Sequence, residues 1–346
     1  MVFKIFIPAF LLSLYSFADI GIPTEISTFS NKKPVFLSAI IEMPTHSFLI
    51  STNAGRVNQA QVDQRIQYNP TFGPNVGVRG TYEQWDLSLS KKLNFSNAVD
   101  EKKYGKTSYD DLRLGFKFSD VLAIESYYQS YRGFYTDLSG QQGLQSTFDG
   151  SGGSAASGPS QIINRSDISA LNFGFRLSHT LPLMPLFRAF EISQAEKAKM
   201  NWDFNLLSKI YYNRLRISGD QALVPATTTN SFSPIALLTE YSANTIGLGL
   251  GLGAAVPMSV ESTFGFEALL GVGLQRQAND FSDHNSISYT TAQEMNAKLF
   301  IDWAGQQHGL RTNLYLDTYS AKVDDINFDT SNLGVNLIYS YTGFSL

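Results

Sequence analysis

The chain has 346 residues and carries 26 Lys and Arg against 30 Asp and Glu, which gives a formal net charge of −4. This balance gives no electrostatic reason to expect a nucleic-acid partner, which would need a basic stripe or patch. Cysteine is absent, which excludes disulfides, thiolate metal sites and a cysteine nucleophile. Charged residues make up only 16% of the chain, whereas about 25% is usual for a soluble domain.

The N-terminal segment has the pattern of a secretory signal peptide. Lys4 supplies a positive charge, an apolar stretch follows over Ile5–Phe17, and Ser16-Phe17-Ala18 gives a small-x-small cleavage pattern. The alternative, a membrane-anchoring helix, would be short for a membrane span and would contain Pro8. The sequence therefore predicts a signal peptide at 1–18, a periplasmic lead-in at 19–44 and a β-barrel at 45–346.

Alternation of apolar and polar side chains predicts β-strands along the rest of the chain, because neighbouring side chains of a strand point to opposite faces. A first strand is expected near 45–57, with Val35–Met43 or Gln61–Tyr68 as alternatives. Alternating segments then follow in chain order at 85–93, 111–118, 171–177, 200–213, 245–256, 260–275, 287–303, 310–319 and 333–341. The clearest is Thr245–Val256, in which leucines fall on one face and glycines on the other. A helix would place these glycines in its interior, at a cost of about 1 kcal/mol each.

These strands favour an all-β, transmembrane, antiparallel up-and-down β-barrel over a soluble β-sandwich. They are longer than soluble strands, which average about 5–6 residues, and the face opposite the apolar one is rich in charge and glycine. Bacterial barrels have short periplasmic turns and long outer loops. Short connections are expected near 81–84, 119–120, 257–258 and 304–307, and long ones at 94–106, 136–165, 218–239 and 278–285. This path gives about twelve strands with both ends periplasmic, or 10–14 if Thr180–Ala198 is more than a turn.

The last predicted strand carries a pattern that barrel assembly machinery would read. Asn332, Gly334, Leu337 and Tyr339 have a polar-x-Gly-x-x-apolar-x-aromatic spacing, although the final residue is Leu346 rather than an aromatic one. The alternative is an ordinary edge strand of a soluble sheet. The barrel interpretation predicts a location in the bacterial outer membrane, with lipid and the assembly machinery as partners, a small solute as a further partner and no nucleic acid.

Residues 104–135 resemble a known family. The segments that carry the resemblance are Tyr104-Gly105-Lys106-Thr107, Asp111-Leu112-Arg113-Leu114-Gly115, Tyr127-Tyr128-Gln129 and Gly133-Phe134-Tyr135. They look like those of an uncharacterised family of outer-membrane β-barrels, catalogued as domain of unknown function 4421. Tyr68-Asn69-Pro70 and Phe190–Lys197 are similar less closely, so the resemblance extends over roughly 45–341. It implies a barrel and implies no activity.

Inward-facing charges are the principal candidate site. On the predicted register the lumen is lined by Arg113, Lys117, Glu125, Asp203, Lys209, Glu261, Glu267, Glu294, Lys298, Asp302, Arg311 and Asp317. Arg79, Asp86, Asp111 and Arg176 join them, so that positive and negative charges nearly balance. Charges inside a narrow barrel should pair. This arrangement fits a cross-braced, nearly filled lumen and also a narrow pore with facing charges; acid–base catalysis is a third interpretation.

Motifs for enzymatic chemistry are weak. His284-Asn285-Ser286 has the residue types of an outer-membrane phospholipase site, but residues adjacent in sequence seldom converge as nucleophile, base and orienting group. The glycines of 247–253 lie inside a strand, whereas a dinucleotide loop joins a strand to a helix. No cofactor or metal is therefore expected. The sequence predicts first a narrow pore or transporter for small solutes, second a non-conducting structural or surface-display barrel, and third a membrane-lipid hydrolase.

Overall fold

A computed structural model describes residues 34–57, 60–71, 73–93, 103–137, 162–183, 203–223, 237–259, 261–304, 308–323 and 326–345. In this part of the chain, thirteen strands form one sheet. In chain order they are β1 Pro34–Val57, β2 Ala60–Tyr68, β3 Asn75–Tyr82, β4 Trp85–Lys92, β5 Ser108–Lys117, β6 Leu122–Asp137, β7 Ile162–Pro182, β8 Asp203–Ser218, β9 Leu238–Pro257, β10 Ser262–Phe281, β11 Asn285–Ala304, β12 His308–Val323 and β13 Ile326–Ser345.

The sheet closes into a barrel because β13 pairs antiparallel with β1, from Pro34 opposite Ser345 to Thr52 opposite Ile326. Both β2 and β3 also pair with β1, β2 with its second half and β3 with its first half. They act as one interrupted strand of the wall, so the ring has 13 − 1 = 12 strands. The predicted antiparallel up-and-down barrel of about twelve strands is confirmed. The start of β1 and the end of β13 lie on the same side of the barrel. This is the side of the short turns, which is the periplasmic side in bacterial barrels.

The outward faces of the strands expose large apolar side chains. Ile246 is 65% exposed, Leu252 56% and Leu270 62%, and similar residues continue around the ring. Soluble monomers rarely expose such a continuous apolar surface, so this belt faces lipid and the protein is a barrel of the outer membrane. Aromatic side chains are exposed at the periplasmic ends of the strands, as interfacial girdles are; they include Tyr82, Trp85, Trp303 and Tyr339.

The strands continue beyond the belt on the outer side. Strands β9, β10 and β11 have 20 residues each, about twice the 9–11 residues that cross a bilayer. Above Ile246 and Leu274, the next outward positions on β9 and β10 are Asn244 and Arg276. The outer half of the barrel therefore stands above the lipid as a collar.

The predicted boundary at residue 45 is wrong, because β1 begins at Pro34 and pairs with both neighbours from Val35. Residues 34–44 belong to the barrel rather than to a lead-in. Pro44 obscures this strand in the sequence, because proline removes a ladder hydrogen bond and is rare in strands. In the structure it lies between the end of the β3 ladder at Glu42 and the start of the β2 ladder at Phe48. Between Glu42 and Phe48, β1 pairs with neither β3 nor β2, so the missing N–H is tolerated.

The long outer connection predicted at 278–285 is also wrong. Strand β10 runs to Phe281 and β11 starts at Asn285, and the Phe281 N–H donates to the His284 carbonyl at 2.8 Å. The apolar alternation that marks a lipid-facing strand ends near Leu274, whereas β10 continues above the lipid with buried Gln275, Gln277 and Asn279 on its inner face. The predicted signal peptide, the Gly- and Ser-rich segment 140–160 and residues 184–198 lie outside the described residues.

Candidate functional site

The periplasmic half of the lumen is lined by ion pairs that remain partly exposed. Arg79 lies 2.6 Å from Asp86, Lys298 lies 3.6 Å from Glu267, and Arg311 lies 2.5 Å from Asp302. The fractional exposure of these six side chains runs from 21% to 44%. Each pair joins adjacent strands of the wall. We call this solvated half of the lumen, lined by these six residues, the vestibule.

A buried layer of charged and polar side chains lies above the vestibule. Asp111 is 3% exposed and accepts hydrogen bonds from Tyr109 Oη at 2.6 Å, Arg113 Nη2 at 2.8 Å and Gln129 Nε2 at 3.0 Å. Arg113 Nε also donates to it at 3.1 Å, so four donor groups, two of them from a guanidinium, surround this one carboxylate. We call this level of the lumen the charged layer.

The charged layer continues on the opposite wall as a chain of bonds that joins three strands, β8, β11 and β12. Lys209 Nζ on β8 donates to Glu294 Oε1 on β11 at 2.7 Å and also to Asn296 Oδ1. Asn296 Nδ2 in turn donates to Asp317 Oδ1 on β12 at 2.8 Å. Lys209 is only 4% exposed, so its charge depends on these partners. Glu125 on β6 and Arg176 on β7 form a 4.0 Å ion pair. This pair lies between the Asp111 group on β5 and the Lys209 group on β8.

The outer half of the lumen is filled by apolar side chains that meet across it. This cluster, the outer core, consists of Phe48, Ile50, Ile66, Tyr68, Tyr109, Tyr131, Phe134, Ile168, Ala170, Leu215, Ile217, Leu223, Leu238, Tyr241, Ala243, Phe281 and Phe328. The rings of Tyr241 on β9 and Phe328 on β13 stack with centroids 3.6 Å apart, although the two strands are separated by three others. On the other wall, Phe48 on β1 packs edge-on against Phe134 on β6 at 5.1 Å. No member is more than 9% exposed, so the described residues leave this level dry.

Four inward glycines are each covered by an aromatic ring from the neighbouring strand. A Cβ added at Gly247 would lie 2.3 Å from the ring of Tyr211, its cross-strand partner. The same relation holds between further cross-strand partners, with clashes of 2.2–2.5 Å: Gly174 with Tyr127, Gly334 with Tyr315, and Gly265 with Phe300. The missing side chain at these four positions therefore makes room for aromatic rings that pack against the wall.

Most of the sequence-predicted lumen residues point inward, but they lie at different depths. Arg113, Glu125, Lys209, Glu294 and Asp317 lie in the charged layer, and Glu267, Lys298, Asp302 and Arg311 line the vestibule. Lys117 and Asp203 are exposed at the periplasmic ends of β5 and β8. That these side chains form a solute path stays a prediction.

Glu261 does not lie in the lumen as predicted. It precedes β10 in the periplasmic turn, where its carboxylate accepts a hydrogen bond from Trp303 Nε1 at 3.1 Å. The predicted segment 260–275 starts two residues before β10, which begins at Ser262. Glu42, in contrast, was assigned to the lead-in, yet it is 7% exposed within the lumen, where Ser90 Oγ donates to it at 3.4 Å. Only recognition of β1 in the sequence could have placed it there.

The segments that carry the family resemblance come together above the outer ends of β4 and β5, where β2 takes their place beside β6. Strands β4 and β5 are short, and above them β2 bridges directly to β6 through reciprocal bonds of 2.9 Å between Asn69 and Tyr135. Thr107 Oγ1 donates to the Gly133 carbonyl at 2.7 Å. Gly133 has φ +86°, and a Cβ there would lie 2.2 Å from the Lys106 carbonyl oxygen, so only glycine fits. These motif residues seal the wall rather than form a catalytic group.

The phospholipase-like motif does not assemble in the structure. His284 Nδ1 lies 2.7 Å from Asp283 Oδ1, and the imidazole ring stacks on Phe281 with centroids 4.5 Å apart. Ser286 is the second residue of β11. Among the described residues, no hydrogen bond joins the His284 ring to the Ser286 hydroxyl, which nucleophilic catalysis would require.

The described parts of the chain contain neither a metal-binding cluster nor a membrane-spanning helix. No cluster of three or more His, Asp or Glu side chains there has the geometry of a metal site. Of the helical segments described, none combines the length and apolarity needed to cross a membrane.

Comparison with solved structures finds outer-membrane proteins at low sequence identity. The Escherichia coli outer-membrane protease OmpT is 6% identical over 92% of this chain and 100% of that chain, with a TM-score of 0.42. The Pseudomonas putida toluene transporter TodX is 8% identical over 89% and 90% of the two chains, with a TM-score of 0.30. The translocator domain of the autotransporter NalP from Neisseria meningitidis is 10% identical over 90% and 89%, with a TM-score of 0.36.

Such distant likenesses carry nothing about activity. No curated protein matches the chain. The family model described as "Domain of unknown function (DUF4421)" matches residues 30–342. That span is most of the chain and includes the motif residues that seal the wall above β4 and β5, so the protein belongs to this family of unknown function, as the sequence resemblance predicted.

Proposed function

We propose that the protein is a non-conducting outer-membrane barrel that holds its outer connections on a rigid collar above the lipid. The observation that carries the proposal is the outer core. Its aromatic and aliphatic side chains meet across the lumen, and burying each contributes roughly 1.5–3 kcal/mol. An open path through this level would expose several of them to water at once, which disfavours a permanently open pore.

The collar also suits presentation. The wall above the lipid is braced by the outer core and by cross-strand ion pairs such as Arg216 on β8 with Glu240 on β9 at 2.7 Å. On β7, Arg165 is held by a two-bond contact with Asp167 at 2.8 Å. Arg165 also donates to the Ala222 carbonyl at 2.9 Å, which ties the connection after β8 to β7. Such a braced rim is the kind of rigid scaffold from which proteins present binding loops.

The direct test is the conductance of the purified barrel in planar lipid bilayers. We expect no discrete conductance steps from the folded wild-type protein, under conditions in which a sixteen-stranded porin gives open channels. Reproducible steps from the wild-type barrel would contradict the proposal. Deletion of residues 140–160 should then remove binding to any surface partner while the barrel still folds, and unchanged binding would exclude this segment as the contact.

A second candidate function is gated transport of a small charged solute, and the vestibule favours it. Its six ionisable side chains are paired but half-exposed, so a solute from the periplasmic side could exchange with their partners at little cost. Transport would require the outer core to open. Uptake of amino acids or small organic acids by liposomes that contain the barrel would support this candidate, and uptake equal to that of empty liposomes would count against it.

A further inference from the structure

The outer face of β8, β9 and β10 carries two arginines directly above the lipid-facing belt. Arg214 and Arg276 are both opposite Asn244 in the strand register, one from each side. Neighbouring strands lie about 4.8 Å apart, so the two arginine Cα atoms are roughly 10 Å apart and their side chains can reach one point above Asn244. Both arginines are exposed.

The two arginines have no acidic partner in the described part of the chain, although acidic groups are near. Arg216, one outward position above Arg214, forms a two-bond ion pair with Glu240 at 2.7 Å. Asp280 faces outward two positions beyond Arg276 on β10, on the side of Arg216. Glu240 and Asp280 therefore lie near Arg216, further from the lipid. The positive charges of Arg214 and Arg276 lie next to the lipid.

Asn244 adds a directed donor between the two arginines. Tyr212 Oη donates to Asn244 Oδ1 at 3.0 Å, which leaves the amide nitrogen as the group free to donate. Tyr212 itself is one outward position below Arg214 on β8. Two guanidinium groups and an amide N–H, all donors, suit an anion with several oxygens, since arginine forks match phosphate geometry.

The surface directly below this donor set is apolar. Ile246 and Leu274 are the next outward residues on β9 and β10, at 65% and 62% exposure, and Tyr289, at 78% exposure, flanks Arg276 on β11. One outward step is about 7 Å along a strand, so the apolar surface begins directly below the donor set. Aromatic side chains are typical of this depth.

We propose that Arg214, Asn244 and Arg276 bind the headgroup phosphate of a phosphorylated lipid in the outer leaflet, with its acyl chains on Ile246 and Leu274. The position of the donors at the upper edge of the belt, and their lack of acidic partners, distinguish this site from ordinary surface arginines. Bound lipid would anchor the collar at a fixed height in the membrane.

The test is lipid binding by the delipidated, folded barrel in a neutral detergent, measured by native mass spectrometry. The probes are bisphosphorylated lipid A and the same lipid after enzymatic removal of its phosphates. We expect the phosphorylated form to bind the wild-type barrel at least about tenfold more tightly than the dephosphorylated form. The double variant R214Q/R276Q should lose this preference, since two charge-assisted contacts are removed.

The matched control is Arg216→Gln, which removes one arginine from the same face but from an existing ion pair. It should keep the preference for phosphorylated lipid within about threefold. Equal binding of both lipid forms to the wild-type barrel would overturn the proposal, as would unchanged binding by the double variant or an equal loss in the control. Displacement of the lipid by millimolar inorganic phosphate would also overturn it, by showing a site for free phosphate. Heat-modifiable gel migration verifies the folding of each variant.

Discussion

Replacement of Gly251 by alanine should destabilise the barrel by about 3 kcal/mol or more. Gly251 lies on the inner face of β9, and a Cβ there would lie 2.1 Å from the Ala268 carbonyl oxygen and 2.7 Å from the Leu269 Cα of β10. Both neighbours are backbone atoms of the paired strand, so they cannot rotate away. The free energy of unfolding in urea, followed by tryptophan fluorescence in detergent micelles, would measure the loss.

Gly253→Ala is the matched control for this prediction. It lies two residues further along β9 on the same face, and its Cβ would meet nothing nearer than 3.5 Å. Because alanine restricts the unfolded chain more than glycine does, this variant should be as stable as the wild type or up to about 1 kcal/mol more stable. Equal destabilisation of both variants would show that the close approach of β9 and β10 at Gly251 is not as described.

Replacement of Glu294 by alanine should cost about 3–5 kcal/mol. The loss would leave Lys209, which is 4% exposed, as a buried cation without its carboxylate partner, in contact with the Asn296 amide oxygen and the Tyr211 ring. The double replacement Lys209→Met with Glu294→Leu should cost much less, because it removes both charges and leaves apolar groups of similar volume. Urea unfolding of Lys209→Met, of Glu294→Leu and of the double variant gives the coupling energy of the pair.

An exposed pair on the outer surface provides the comparison. Lys91 and Asp110 lie 3.7 Å apart with side chains that are 74% and 52% exposed, so Asp110→Ala should change stability by less than about 1 kcal/mol. A Glu294→Ala variant as stable as Asp110→Ala would mean that the charged layer is hydrated and is not a buried network.

The barrel itself could be predicted because the alternation that marks a lipid-facing strand depends only on residues that are close together in the sequence. Leucines at alternate positions of 246–256 mark one face of β9, and that face meets lipid whatever the rest of the chain does. Where a strand leaves the lipid this constraint ends. The outer part of β10 carries buried Gln275, Gln277 and Asn279 on its inner face and Arg276 and Asp280 on its outer face, so the sequence pattern there resembles a loop. Pro44 conceals β1 for a different reason, since it is tolerated only because the β2 and β3 ladders leave a gap beside it.

The lumen could be predicted only in part. Alternation gives the direction of each charged side chain, and Lys209, Glu294 and Arg311 accordingly point inward. It does not give depth or partners, which depend on the stagger of strands that are far apart in sequence. The outer core was missed for the same reason: Phe48, Tyr241 and Phe328 each appear in the sequence as single aromatic residues, and only closure of the ring brings them together.

The central claim, a lumen sealed in its outer half and solvated in its periplasmic half, is tested most directly by thiol accessibility. The chain has no cysteine, so single-cysteine variants have no background. Ala243 in the outer core is 1% exposed, whereas Ala255, on the same face of β9 near its periplasmic end, is half-buried. In the folded barrel, a small charged methanethiosulfonate reagent should modify Ala255→Cys readily and Ala243→Cys only after unfolding. Equal modification of the two cysteines in the folded state would contradict the seal and would favour an open pore.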